Sequence, residues 1–161
     1  MIFDVDGVMT DGTLFLSDSG EEVKGFNTLD GHGMKMLAGT GVRLAIITGR
    51  RSRLVEARAR NLGIDLLFQG VEDKRATFEE LAARLDLSHD ECGYVGDDVI
   101  DLPVMRRCGF AASVPGAPEI VRTHAHYVTL AGGGRGAVRE LAEFVMRAQA
   151  TLDRALAPYL A

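Results

Sequence analysis

The strongest constraint on this chain is the recurrence of short apolar runs that close on glycine with a polar residue beside it. They are IFDVDG (2–7), RLAIITG (43–49), LLFQG (66–70), GYVGD (93–97) and FAASVPG (110–116), followed by HYVTLAGG (126–133). Runs of this length, rich in Ile, Val, Leu and Phe, read as strands buried on both faces. Helical patterns separate them. Residues 52–62 begin at a serine cap and stop at Gly63, and residues 74–85 place Phe78, Leu81, Ala82 and Leu85 on one face. Residues 137–156 place Val138, Leu141, Ala142, Val145, Gln149, Leu152 and Leu156 on one stripe. Strands alternating with helices predict an α/β fold, a Rossmann-like parallel sheet with helices on both faces. The 161 residues hold no repeat, low-complexity tract or linker, so one domain over 1–161 is expected.

One segment breaks the alternation. GTLFLSDSGEEVKGF (12–26) reads as a β-hairpin turning at Asp18-Ser19-Gly20. It follows DVDG directly, so it should project from the same edge as Asp4 and Asp6. That edge, formed by the carboxyl ends of the strands, is where open α/β sheets bind ligands. Asp4 and Asp6 follow the first strand, Thr48, Gly49 and Arg50 the second, and Lys74 the third; Asp97 and Asp98, with Asp101, follow the fourth. Carboxylates gathered at one point repel unless a cation shares the space. Hard oxygen ligands with vacant positions suit Mg²⁺, which binds through one or two carboxylates, waters and a substrate phosphate. Thr48 and Lys74 would then donate to the oxygens of a phosphoryl group.

A net charge of −5 argues against a nucleic-acid binder. Charge is uneven, though: residues 43–60 carry arginines 43, 50, 51, 53, 58 and 60 and one acid, Glu56. Such a run is either a solvated helix face or a site for a small anion. Cys92 and Cys108 have neither metal-ligand spacing nor the density of a disulfide scaffold, and read as reduced, partly buried thiols. No apolar run approaches a membrane span and no leader precedes the first strand, so the cytoplasm is the expected compartment. Met1 abuts the first strand directly.

DVDGVMT, ITGR, a lone downstream lysine and GDDVIDLP resemble, in order and spacing, the four motifs of haloacid dehalogenase-superfamily phosphatases. FNTLDGHG, ITGRRSRLVEAR, FQG followed by DK, GDDVIDLPVM and GGGRGAVRE are similar to one family within it, the 3-deoxy-D-manno-octulosonate 8-phosphate phosphatases. The resemblance covers nearly the whole chain. It implies hydrolysis of an eight-carbon sugar-acid phosphate in lipopolysaccharide synthesis, with Asp4 as the nucleophile that becomes an aspartyl-phosphate. Asp6 would be general acid and then base. Mg²⁺ would take side-chain oxygens of Asp4 and Asp97 and the backbone carbonyl of Asp6. Asp98 and Asp101 would stand behind these, orienting Lys74 or metal-bound water, unless Asp101 only caps the following helix. The resemblance also implies that Asn27, Thr28, Leu29, Asp30 and Gly31, with Lys35, Gly49, Arg50 and Arg58, contact the substrate. The family usually has arginine where this chain has Leu29, and phosphatases for nine-carbon sugar acids vary there too. They are the alternative.

Other readings are weaker. A phospho-accepting receiver domain would have its phosphorylated Asp alone after the third strand, where this chain has Gln69-Gly70. A catalytically dead binding module would have lost Asp4, Lys74 or Asp97. A phosphomutase needs a cap domain, for which the connections leave no room. His124 and His126 read as loop histidines, His32 as a residue near the site, and GGGRG (132–136) as a flexible entry to the last helix, which the resemblance places near the crevice. Methionines 34, 36, 105 and 146 fall at helical spacing and read as core. The uncovered site, and Leu14, Phe15, Leu16, Val23 and Phe26 on the hairpin, predict a closed homo-oligomer packed through its hairpins, and the resemblance implies that it is a homotetramer. The resemblance adds that a tail around 155–161 reaches toward a neighbouring site.

Overall fold

The computed structural model describes residues 1–18, 20 and 22–160. Ser19 and Glu21 in the expected hairpin, and Ala161 in the expected tail, lie outside the described residues.

Six strands form one sheet: β1 (Ile2–Phe3), β4 (Ala45–Thr48), β5 (Leu66–Gln69), β6 (Gly93–Val95), β7 (Phe110–Ser113) and β8 (Tyr127–Val128). Their order is β5-β4-β1-β6-β7-β8, and every pairing is parallel. The apolar runs are continuous because both sheet faces are covered. Alternation sends Phe3, Ile46, Val95 and Ala112 into one core and Ile2, Ala45, Ile47, Tyr94 and Ala111 into the other. The first core is closed by α1 (Thr28–Gly39), α2 (Arg53–Leu62), α6 (Ala137–Ala148) and α7 (Leu152–Leu160). The second is closed by α3 (Lys74–Arg84), α4 (Leu102–Met105) and α5 (Glu119–Arg122). Met34, Met36, Met105 and Met146 are buried core residues, as expected.

The helix ends follow local chemistry. Ser52 caps α2 by accepting from Leu54 N, and Gly63 ends it at φ 73°. Asp73 caps α3 through Ala76 N, which places Lys74 at the first helical position and on the carboxyl edge of the sheet. The expected helix over 137–156 differs. It breaks after Ala148, where Ala150 takes φ 53° and Thr151 N returns to Met146 O at 2.8 Å. The break leaves Gln149 exposed and lets α7 turn back along α1, where the Tyr159 hydroxyl meets His32 Nε2 at 3.0 Å.

Between β1 and α1 lies an antiparallel hairpin of β2 (Phe15–Leu16) and β3 (Glu22–Val23), with Phe15 opposite Val23. Leu14, Phe15, Leu16 and Val23 are exposed, whereas Phe26 packs on the core. From β1 the chain moves outward through β4 and β5, then crosses to β6 on the other side. Such a reversal opens a crevice at the carboxyl ends of the central strands. No helix among the described residues is long and apolar enough to cross a membrane.

Candidate active site

A cleft of about 240 Å³ opens at that reversal, lined by Asp4, Asp6, Gly12, Thr48, Gly49, Arg50, Lys74, Asp97, Asp98 and Ile100. Its floor is the loop after β1, a tight coil in which Val8, Met9 and Thr10 N all donate to Val5 O. Gly7 sits at φ 88°, and a Cβ there would lie 2.0 Å from Asp97 Oδ2. Only glycine lets the Asp97 carboxylate lie against the loop that carries Asp4 and Asp6. The GGGRG stretch presses on the same loop: a Cβ on Gly133 would stand 1.7 Å from Gly7 O, and Gly134 N donates to Val8 O. It therefore packs against the site by close backbone approach.

Charge concentrates on the floor. Lys74 Nζ lies 2.9 Å from Asp4 Oδ1 and 2.7 Å from Asp101 Oδ1, with all three residues buried. Asp101 also accepts from the Tyr94 hydroxyl and from Asp97 N and Asp98 N. Four donors occupy its two oxygens. Although carboxylate oxygens of Asp4, Asp97 and Asp101 lie within 4.8 Å of one another, Asp101 is committed to Lys74 and the loop. Asp4, paired with Lys74 through one oxygen, and Asp97 are then the carboxylates placed to take a further cation.

Burial, then repulsion from Asp101, pushes the Asp4 carboxyl up to about 6 against the pull of Lys74. Burial, then the charges of Asp4, Asp101 and Asp98, pushes Asp97 up to about 7. Burial also opposes the Lys74 ammonium, but Asp4 and Asp101 outweigh it and hold its pKa above the ordinary lysine value. One cation does not balance this cluster, and hard oxygen donors with room beside them fit Mg²⁺. Thr48 is buried at the end of β4 and lines the cleft, its hydroxyl without a hydrogen bond to any described residue.

The other expected residues divide. Gly49 and Arg50 line the cleft, Arg50 half-exposed. Asp98 lines it too, and its side chain caps the next turn by accepting from Val99 N. Asn27, Thr28, Leu29, Asp30, Gly31, Lys35 and Arg58 lie outside it. Asn27 caps α1 through Leu29 N and Asp30 N. Asp30 is buried and accepts from Gly136 N and Arg139 N, fixing the start of α6. Arg58 turns inward over the Phe26 ring, donates to Asn27 O at 2.9 Å and packs against Gly31. Thr28 and Leu29 are exposed on the first turn of α1; Lys35 lies in the hollow between α1 and α7. His32 contacts Tyr159 and Arg139 rather than the cleft. His126 Nδ1 accepts from Ala111 N and His124 Nδ1 meets Ile120 O, so both histidines hold local structure.

Three polar residues escaped the sequence reading. Tyr94 is fully buried beneath the site with its hydroxyl on Asp101. Lys24 pairs with Asp6 and Glu22, and Arg50 Nη2 reaches Glu22 Oε1 at 2.8 Å. The signal for the last pair was Glu22-Val23-Lys24, two charges flanking an apolar residue on a strand beside DVDG.

A family model for haloacid dehalogenase-like hydrolases matches residues 27–109. A 3-deoxy-D-manno-octulosonate 8-phosphate phosphatase from Yersinia pestis is 46% identical over 155 residues, 96% of this chain and 83% of that protein. A crystal structure of a probable YrbI-family phosphatase from Pseudomonas syringae is 51% identical with TM-score 0.98, over 99% of this chain and 91% of that one. The structure of the Moraxella catarrhalis 3-deoxy-D-manno-octulosonate 8-phosphate phosphatase, in complex with magnesium ion, phosphate ion and the sugar acid, is 40% identical with TM-score 0.96. It is covered over 98% of this chain and 91% of that one. On the strength of these matches over nearly its full length, the chain belongs to the haloacid dehalogenase-like hydrolases, in the family of the 3-deoxy-D-manno-octulosonate 8-phosphate phosphatases.

Proposed function

We propose that this chain is a cytoplasmic, Mg²⁺-dependent phosphatase that hydrolyses 3-deoxy-D-manno-octulosonate 8-phosphate to the sugar acid and phosphate, in lipopolysaccharide biosynthesis. The observation that carries the reading is the buried Asp4–Lys74–Asp101 cluster with Asp97 beside it, a nucleophile and a cation facing one cleft. Asp4, Asp97 and the backbone carbonyl of Asp6 would hold Mg²⁺, which would offset the carboxylate repulsion and polarise the phosphoryl group. An Asp4 oxygen attacks phosphorus as the bond to the sugar oxygen breaks, and Asp6 gives that oxygen its proton. Water then attacks the aspartyl-phosphate, Asp6 takes its proton, and Asp4 is regenerated. Thr48 and Lys74 donate to the phosphoryl oxygens throughout. Gly49 and Arg50 meet the sugar acid at the mouth. The family resemblance also assigns substrate contacts to Asn27, Thr28, Leu29, Asp30, Gly31, Lys35 and Arg58, which do not line the cleft within one protomer.

Phosphate release from a panel of sugar phosphates tests the reading. The eight-carbon acid phosphate is expected to exceed glucose 6-phosphate in kcat/KM by at least roughly 100-fold, the size of about two lost polar contacts. Equal values would overturn the assignment, and preference for a nine-carbon acid phosphate would move it to that alternative. Two of the three relatives named above, the Yersinia pestis and Moraxella catarrhalis phosphatases of the eight-carbon substrate, favour the first outcome.

Metal binding has a readout apart from turnover. The values near 6 and 7 for Asp4 and Asp97 lie above the ordinary carboxylate value, so the metal-free fold takes up protons. These groups therefore favour the fold at low pH, and that contribution is lost as pH rises through 6 to 7. At pH 5.5 Mg²⁺ must displace those protons; at pH 8 it need not. The rise in Tm on adding Mg²⁺ is expected to be larger at pH 8 than at pH 5.5, and the reverse order would remove these carboxylates as the metal site.

We also propose a homotetramer joined through the hairpins, whose exposed Leu14, Phe15, Leu16 and Val23 form an apolar surface beside the cleft. Neighbouring subunits would complete each site, with the segment 155–161 reaching across. In this chain α7 lies along α1, so that reach requires release of the Tyr159–His32 contact. Light scattering is expected to give about four times 17.4 kDa; a fully active monomer at micromolar concentration would refute the assembly.

A further inference from the structure

The hairpin touches the site through one buried ammonium. Along β3 and the residue after it, alternation turns Val23 outward, 61% exposed, and Glu22 and Lys24 the other way. The Lys24 side chain is 2% exposed, and its Nζ is in close contact with Asp6 Oδ1 and 3.3 Å from Glu22 Oε1. Arg50 closes the arrangement with Nη2 2.8 Å from Glu22 and Nε 3.8 Å from Asp6 Oδ2. Two cations and two carboxylates thus form a neutral ring around the side chain that performs the proton transfer.

A lysine that merely tied a hairpin down would extend its ammonium to solvent, as surface lysines do. Burying the charge is costly unless strong partners meet it, and here one of them is Asp6. The residues that line the cleft include Asp6 and Arg50 but not Lys24, so Lys24 reaches Asp6 from the hairpin side and not through the substrate's space. The two oxygens of Asp6 are left unequal. Oδ1 is engaged by Lys24, while the 3.8 Å to Arg50 is too long for a hydrogen bond and leaves Oδ2 available. A carboxyl group held in this way can carry its exchangeable proton on Oδ2 while Oδ1 still accepts from the ammonium.

We propose that Lys24 is a positioning residue for phosphoryl transfer: it fixes the Asp6 carboxylate so that Oδ2 faces the leaving sugar oxygen, and thereby couples the seating of the hairpin to the acid–base step. The inference rests on the reading of Asp6 as general acid and base. It gives the hairpin a role inside the chemistry of its own protomer, distinct from any role of its outer face in assembly. Displacing the hairpin would swing Lys24 away and free the Asp6 side chain to rotate out of line.

Leaving-group dependence tests this in the full-length protein with Mg²⁺. The sugar phosphate expels an alkoxide that needs a proton; p-nitrophenyl phosphate expels a phenolate that does not. Comparing kcat/KM restricts the measurement to steps through bond cleavage, before hydrolysis of the aspartyl-phosphate. Lys24→Met is expected to lower kcat/KM for 3-deoxy-D-manno-octulosonate 8-phosphate about 100-fold, the lower end of general acid catalysis, and at least tenfold more than for p-nitrophenyl phosphate. An equal fall on both substrates, as a misfolded chain would give, overturns the proposal. A double-mutant comparison provides the second arm. In an Asp6→Asn background, adding Lys24→Met is expected to cost less than twofold on the sugar phosphate, because the side chain it acts through has gone; a full additional loss overturns it. Asp6→Asn alone separates the two levels. If it lowers the ratio of sugar to aryl kcat/KM and Lys24→Met does not, the positioning role fails and the reading of Asp6 stands. If it leaves the ratio unchanged, the reading of Asp6 fails and takes the positioning role with it.

Discussion

Asp4→Asn is expected to reduce turnover by at least roughly 10⁴-fold while leaving the metal-free protein at least as stable as the wild type. The two halves of the result have separate causes. An amide nearly matches the carboxylate in shape but cannot attack phosphorus, so no aspartyl-phosphate forms. Stability moves the other way because the Asp4 charge sits in an unfavourable place. Burial and Asp101 together push its carboxyl up to about 6, so at pH 7.5 the fold holds a charge it resists. A neutral amide removes that resistance and the repulsion toward Asp97, while Lys74 keeps its 2.7 Å bond to Asp101. Steady-state turnover and a thermal melt in chelator at pH 7.5 check both halves. Turnover within tenfold of wild type would remove Asp4 as nucleophile, whatever the melt shows.

Much of this arrangement can be read in the sequence because the fold forces it there. A strand buried on both faces must be an unbroken apolar run, so the six runs mark six strands, and a polar residue at the end of a run marks the carboxyl edge. That is why the sequence alone gathers Asp4, Asp6, Thr48, Lys74 and Asp97, which line one cleft. Contacts that depend on one loop approaching another leave no local mark. The triple glycine of residues 132–134 looks like a flexible entry to a helix, yet Gly133 is pressed on Gly7 O. Tyr94 reads as one more apolar strand residue, and its hydroxyl matters only because Asp101 arrives beneath it. The break at Ala150 has no glycine or proline to announce it and is set by the return of Thr151 N to Met146 O.

The arginine run of residues 43–60 shows a further limit. Charge clustered in sequence disperses in space: Arg50 reaches the cleft and Glu22, Arg51 covers Gly70, and Arg58 folds over the Phe26 ring and donates to Asn27 O. Of these, Arg50 is the one that lines the cleft. Asp30 is the converse case. It lies in a stretch that resembles a substrate loop and spends its carboxylate on the first turn of α6. Whether a side chain binds a ligand or caps a helix is decided by what packs beside it.

Lys74→Met is expected to remove activity and stability together, and to make the stability loss grow with pH. Among the described residues, Lys74 is the one cation paired with both Asp4 and Asp101, and all three are buried. Removing one partner of such a cluster leaves charge uncompensated at a cost of roughly 3–5 kcal/mol, a fall of roughly 10 °C in Tm for a chain this long. The sign with pH follows from the shifts. Asp4 and Asp101 hold the Lys74 pKa above the ordinary lysine value, so its contribution is fully present below the ordinary value and lost only as pH rises through the higher one. Wild type therefore keeps this contribution whole from pH 5.5 to 8. Without Lys74, the Asp4 carboxyl, already near 6, rises further. At pH 5.5 it is protonated and the cluster tolerates the loss; at pH 8 folding must force the charge back. The deficit in Tm against wild type, measured in chelator, should thus be larger at pH 8 than at pH 5.5. Mg²⁺ should recover part of the deficit at pH 8, because a cation beside Asp4 and Asp97 offsets the same repulsion. It should not recover turnover, which is expected to stay down at least roughly 100-fold for want of the ammonium on the transferring phosphoryl group. A variant that melts like wild type at pH 8 in chelator would show that Lys74 does not balance this site, and recovery of turnover by Mg²⁺ alone would show that it does not act on the phosphoryl group.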